Sequence, residues 1–394
     1  MSLLTIEERE APAPTPGSAL LALGFRPFYL LAAAFAAISI PAWIASYYGV
    51  AGPFQVGLAW HVHEMMFGFV VAVVVGFLYT AGRNWTGLWT PRGAQLGAIA
   101  GLWVAGRVAM FAGSPLVAAV VDVAFLPVAA WPFYQVLKRT GNKRNLFLVA
   151  LLGLLAVANA LYHAAMLGWI DASPLRPIYA AIIVVVVIEG AIGGRVIPMF
   201  TQNGVGAKTV SNPRTDKLAL GCTAAAGLAW GLNLPAIVTA PLALAAAVFQ
   251  AMRLAGWKPL STLGNPLVWI LHASYAWIPF GFLLLALSQL GVVPQSAAVH
   301  VLAVGALAGL ILGMMTRTAL GHTGRKLASG PKETAMYVLV QLGVVTRLVA
   351  ALSPDGARNV ALVAAAVCWS AAFALYVAVY GPYLCRPRID GREG

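Results

Sequence analysis

Residues 60–83 read WHVHEMMFGFVVAVVVGFLYTAGR, and the fold turns on them. The last twenty residues form a continuous apolar run, long enough as a helix to cross a hydrocarbon core about 30 Å thick. The run does not alternate, so it is a helix and not a barrel strand. Its first five residues nevertheless hold His61, His63 and Glu64. Ionisable groups at the mouth of a membrane helix are costly to keep and mark functional sites.

Similar runs recur along the chain of 394 residues, which is 61% hydrophobic and 9% charged. A soluble domain carries about 25% charged residues, so a soluble globule is excluded. Spans are predicted at roughly 22–47, 60–81, 93–112, 115–137, 146–169, 176–199, 216–233, 235–256, 264–290, 296–316, 333–352 and 358–381. The expected fold is all-α: a polytopic membrane bundle of twelve transmembrane helices over 21–385. Tails at 1–20, rich in Glu and Pro and expected to be disordered, and at 386–394 flank it.

The net charge of +13 follows the same division. Of 25 basic residues, twenty-one fall in the even-numbered connections and the tails. The opposite loops hold Arg176 and Arg358, while Arg107 and Arg347 lie inside spans. By the positive-inside rule both termini are cytoplasmic, and the basic charge means orientation, not nucleic acid. Cys222, Cys368 and Cys385 are scattered without a CxxC pair, which leaves no thiolate metal centre or covalent haem attachment. Trp85, Trp89, Trp169 and Trp257, near span ends, read as interface anchors.

This topology gives each histidine a depth. His61, His63, His163 and His300 fall at the outer end of the membrane; His272 lies inside the ninth span, and His322 in a cytoplasmic loop. His61 and His63 are about 200° apart around a helix and cannot serve one partner. His61 shares a face with Glu64, Gly68, Ala72 and Gly76, a stripe that admits a helix or a flat macrocycle. His63 shares the bulkier face of Phe67, Val70 and Val74. Asn159, four residues before His163, stands where its amide can orient that imidazole. Imidazole suits iron, copper or zinc. The same histidines also fit plain interhelical hydrogen bonding, and both readings stand. Arg107 and Arg347 suit buried anions such as haem propionates, or snorkel to the interface. Glu64, Asp122 and Glu189 are the acidic groups in or against the spans. Glu189, near mid-membrane, reads as a proton relay or a protonated hydrogen-bonding group.

WHVHE at 60–64, GGRVIPMFT at 193–201 and MTRTALGHTGR at 315–325 closely resemble the NnrS family. GFRPFYL at 24–30, ANALYH at 158–163 and HASYAWIPFG at 272–281 extend the likeness through nearly the whole chain. The resemblance implies a multi-pass bacterial inner-membrane protein of twelve spans that carries haem and copper. It also implies a part in nitric oxide metabolism, denitrification and nitrosative-stress resistance. More remotely, the chain is similar to the catalytic subunit of haem–copper oxidases and nitric oxide reductases. HEMMF at 63–67 resembles the segment bearing their low-spin haem ligand, which favours His63. The adjacent His–His pair and later His-x-His of that superfamily are missing, so copper ligands are not carried over by motif.

The resulting expectation is an oxidoreductase similar to nitric oxide reductase, with a haem–copper oxidase-like fold. It holds one or more haem b groups, with copper as a second metal. Metal ligands are expected among His61, His63, His163 and His300, with His272 an outlying haem candidate. Arg107 and Arg347 would face propionates, and Glu189 and Glu64 would carry protons. Nitric oxide, or another small diatomic ligand, would bind the iron, with electrons from quinol or a second haem. A non-enzymatic haem or nitric-oxide handling protein and a twelve-span transporter are the competing classes.

Overall fold

The structure, a computed structural model, describes residues 19–50 and 56–394. Most of the predicted tail 1–20 therefore lies outside the described residues. Among the described residues there is no strand. The long helices are α1 Phe25–Tyr47, α2 Leu58–Thr86, α3 Gly93–Ala112, α4 Pro115–Arg139, α5 Lys143–Met166 and α6 Leu175–Val205. They continue as α7 Pro213–Gly231, α8 Ala236–Gly256, α9 Pro266–Gln289, α10 Gln295–His322, α11 Pro331–Leu352 and α12 Asp355–Cys385. Eleven are long and apolar enough to cross a membrane. The exception is α7, whose opening residues include Arg214, Asp216 and Lys217.

Local chemistry sets the ends. Pro115 and Pro213 open α4 and α7, where a missing N–H costs nothing, behind Ser114 and Asn212 caps. The Asn212 Oδ1 accepts from the Arg214 N–H at 2.9 Å. Gly87, with φ 74°, ends α2 in a left-handed turn whose N–H reaches the Arg83 carbonyl at 2.9 Å.

Depth in the bundle follows from which faces are apolar. α1 buries Phe25, Phe28, Tyr29, Ala32, Ala33 and Ala36, a single helical stripe. α2 and α10 are apolar nearly all round and are the most enclosed spans: 89% and 72% of their most apolar stretches are buried, against 67% or less for the others. They form the centre. Each also carries a widened π-helical stretch, Glu64–Val70 in α2 and Val301–Ala308 in α10. Each stretch starts directly after a histidine, His63 or His300; such distortions are frequent at functional sites.

The small-residue stripe on α2 is filled by protein. A Cβ on Gly76 would lie 2.8 Å from Phe28 Cβ and 3.3 Å from the Gly24 carbonyl, so α1 occupies this face. Trp257, predicted at the interface, is fully buried against Tyr275 at 4.6 Å, whereas Trp169 is exposed. Arg26 is also fully buried, because its Nη1 donates to the Leu384 and Arg386 carbonyls that end α12.

Candidate functional site

The two histidines of WHVHE do part company, and each lies in a different environment. His63 enters a sealed polar cluster formed by α2, α3, α4 and α5. Its Nδ1 lies 2.9 Å from Glu64 Oε1, and its Nε2 lies 2.9 Å from Asn159 Oδ1 and 3.1 Å from Asp122 Oδ2. Arg107 Nη1 donates to both Glu64 oxygens at 3.0 Å, and its Nη2 donates to Asp122 Oδ1. Asn159 Nδ2 and His163 Nε2 both reach Asp122 Oδ2, at 2.7 and 3.1 Å.

All six side chains are buried. Buried charges persist only when paired, and here two carboxylates surround one guanidinium. Both ring nitrogens of His63 face side-chain oxygens of the cluster. Gly68 makes the approach possible: a Cβ there would sit 2.8 Å from Arg107 Nη1 and 2.9 Å from Glu64 Oε2. The Gly68 carbonyl, inside the widened stretch, accepts from Trp103 Nε1 at 3.0 Å.

His61 faces the other way, into a cavity of about 710 Å³. Its ring stacks on Trp43, with centroids 5.1 Å apart and planes at 8°, and its Nδ1 is buried without a partner among the described residues. From α10, His300 lines the same cavity. Its Nδ1 lies 2.7 Å from the Ser296 carbonyl, so Nδ1 carries the proton and Nε2 keeps its lone pair. Arg347 and Arg358 complete the polar lining, and Arg347 is close enough to interact electrostatically with both imidazoles. Aliphatic and aromatic side chains, among them Met65, Phe69 and Trp369, make up most of the rest. Ligand pockets commonly have this size, about 300–1,000 Å³, and this mixture of apolar wall and few polar groups.

The predicted residues thus divide into two sites. His61, His300 and Arg347 meet at the cavity; His63, His163, Glu64 and Arg107 meet in the cluster. Glu64 joins His63, because its carboxylate is turned into the cluster by the His63 ring and the Arg107 guanidinium. Arg107 meets protein carboxylates. His272 lies apart, its Nε2 2.7 Å from Thr201 Oγ1. Glu189 also stands outside both sites, with a buried Oε2 that has no partner among the described residues.

Asp122 holds the cluster together, yet sequence reasoning gave it no role. The available signal was an aspartate within an apolar span, which is too costly there to be unpaired. Asn159 was noticed for His163, but it bonds His63 and Asp122 instead. The ligand-capable atoms of His63, Asp122 and His163 lie within 4.8 Å of one another, a set able to hold a metal ion.

The family model described as NnrS protein matches residues 19–388. No curated protein matches the chain.

Proposed function

Because the chain belongs to the NnrS family, we propose that it is a haem-binding membrane protein of nitric oxide metabolism, with haem b held in the cavity between His61 and His300. The observation that carries this reading is the convergence of two imidazoles and two arginines, from distant parts of the chain, on one apolar cavity. The residues suit the group. His300 offers a bare Nε2 fixed by its bond to Ser296, and His61 has a buried nitrogen in need of a partner. Arg347 and Arg358 would hold the propionates, as guanidinium pairs well with carboxylate. Bound haem would supply a redox couple and, where one imidazole gave way, a coordination position for nitric oxide.

In the finer, enzymatic reading, two nitric oxide molecules, two protons and two electrons from quinol give nitrous oxide and water. The apolar walls exclude bulk water from the cavity. Glu189 is the protonatable group available within the bundle, and the unpartnered Oε2 leaves it able to take or pass a proton. Copper has a place of its own in this proposal. His63, Asp122 and His163 offer two imidazoles and a carboxylate, a donor set that suits copper or zinc, and metal binding would displace protons from the rings.

The proposed location is the bacterial inner membrane with both termini cytoplasmic, from the charge bias of the loops. In this reading α7 is the twelfth span. It packs against α6, and its Asp216 pairs with Arg253 of α8 at 2.6 Å, which lowers the cost of its charged end.

Reduced-minus-oxidised spectra of the purified protein, with metal analysis, test the assignment. His61→Ala and His300→Ala should each remove the low-spin haem signal, whereas His63→Ala should spare it. A full haem spectrum in both cavity variants would overturn the site. Nitrous oxide release from nitric oxide and a quinol under anaerobic conditions separates a reductase from a binding protein.

A further inference from the structure

Three of the helices that wall the histidine cavity, α2, α6 and α10, also wall a second one at their opposite ends. It too measures about 710 Å³, and is lined by Leu23 just before α1, from α2 by Phe77 and Arg83, from α6 by Arg195 and Phe200, and from α10 by Arg317. The C-terminal segment adds Arg388 and Arg392. Two sequence motifs to which the haem reading gives no task, GGRVIPMFT and MTRTALGHTGR, come together in its wall.

Five guanidinium groups around one cavity require anions. Arg388 has one, since it pairs with Asp390 at 2.6 Å. Glu393 has the one carboxylate side chain among the described lining residues, and it already lies 3.8 Å from Arg92; the Gly394 oxygen, also in the lining, accepts from Arg26 at 2.6 Å. Among the described residues, no carboxylate pairs with Arg83, Arg195 or Arg317. Their side chains are positioned nonetheless. Arg317 lies 3.7 Å from the Phe200 ring centre, Arg83 lies 4.1 Å from that of Trp89, and Arg195 Nη1 donates to Asn145 Oδ1 at 3.1 Å. Guanidinium groups held on aromatic faces keep their N–H forks free for a bidentate acceptor, and phosphate matches that fork. Ile192, Met314 and Leu327 add an apolar part of the wall that suits the body of an amphiphilic ligand.

We propose that this basic cavity binds a phosphate-bearing anion through Arg83, Arg195 and Arg317, at a site separate from the histidine cavity. The phosphate can belong to an anionic phospholipid headgroup or to a soluble phosphate ester. The shared chemistry is guanidinium–phosphate recognition, which weakens as salt rises.

Two probes separate the sources. Calorimetry with inorganic pyrophosphate, on protein in a neutral phosphate-free detergent, reports soluble phosphate. Native mass spectrometry of protein taken from phosphatidylglycerol nanodiscs reports retained lipid. The double variant Arg195→Gln/Arg317→Gln should weaken binding of the active probe at least tenfold, while Arg214→Gln, an exposed charge loss elsewhere, should leave it unchanged. Arg83→Gln, which removes a single half-buried arginine, should weaken it about threefold and serves if the double variant does not fold. Binding of pyrophosphate alone assigns the site to a soluble ester, and retention of phosphatidylglycerol alone assigns it to lipid. If neither probe binds, or if the cavity variants bind as tightly as the unaltered protein, the proposal falls. Neither readout uses haem, so failure of the haem site leaves this test intact.

Discussion

His61 and His63 are two residues apart and have opposite surroundings. The cluster around His63 is closed: Glu64, Arg107, Asp122, Asn159 and His163 satisfy one another with charge-assisted hydrogen bonds. The cavity around His61 is open, with an unpartnered ring nitrogen and two arginines near it. The difference teaches that charge density alone does not locate a ligand site. The richer set of ionisable groups is largely self-sufficient, while the sparser set is left with unmet valence. On this argument the cluster ties α2, α3, α4 and α5 together, and the cavity next to it receives the ligand.

Breaking the cluster should have the largest effect. Asp122→Ala leaves Arg107 Nη2, Asn159 Nδ2 and His163 Nε2 without their shared carboxylate in a low-dielectric interior and should cost about 3–5 kcal/mol. The expected result is a sharp fall in folded yield and in the unfolding midpoint in detergent. Asp122→Asn, which keeps one acceptor oxygen for these donors, should lose less than Asp122→Ala. A midpoint unchanged by Asp122→Ala would show that the cluster does not bear on stability.

His63→Ala comes next, at about 1.5–3 kcal/mol for lost hydrogen bonds to charged partners. By contrast, His61→Ala in the ligand-free protein should cost about 0.5–1.5 kcal/mol, roughly the stacking on Trp43. Paired unfolding curves of these two variants give the sharpest form of the comparison; equal losses would erase the distinction between closed and open sites.

The smallest effect belongs outside both. Its bond to Arg388 holds the exposed Asp390 carboxyl down to about 2, below the ordinary 3.8. The folded value is the lower one, so this pair adds its stability above about pH 4 and loses it as pH falls through 2. Between pH 5 and 8, Asp390→Asn should therefore shift the unfolding midpoint by a constant small amount. A slope against pH in that window would assign the titration elsewhere.

The spans were legible because a hydrocarbon core imposes a length on any helix that crosses it, and apolar runs of that length can be read directly. The helices fall on the predicted segments, and the divergence of His61 from His63 followed from helical angle alone. The grouping of four histidines at one depth was less informative. Depth says how far a residue lies along the membrane normal, not which neighbour it faces, and the four divide between two sites. Helical spacing also placed Glu64 with His61; hydrogen bonds to His63 and Arg107 turn its carboxylate into the cluster instead.

The sequence by itself determined the all-helical membrane class, the family likeness and the residues rich enough in chemistry to matter. Those properties are local, written in run length, residue type and spacing. Tertiary structure alone decided that Asp122 joins four helices, that His300 comes to His61 across more than two hundred residues, and that two separate motifs enclose an arginine-lined cavity. Contacts between helices depend on how each one is rotated and on which neighbour it packs against. A single chain's periodicity carries the first only in part and the second not at all.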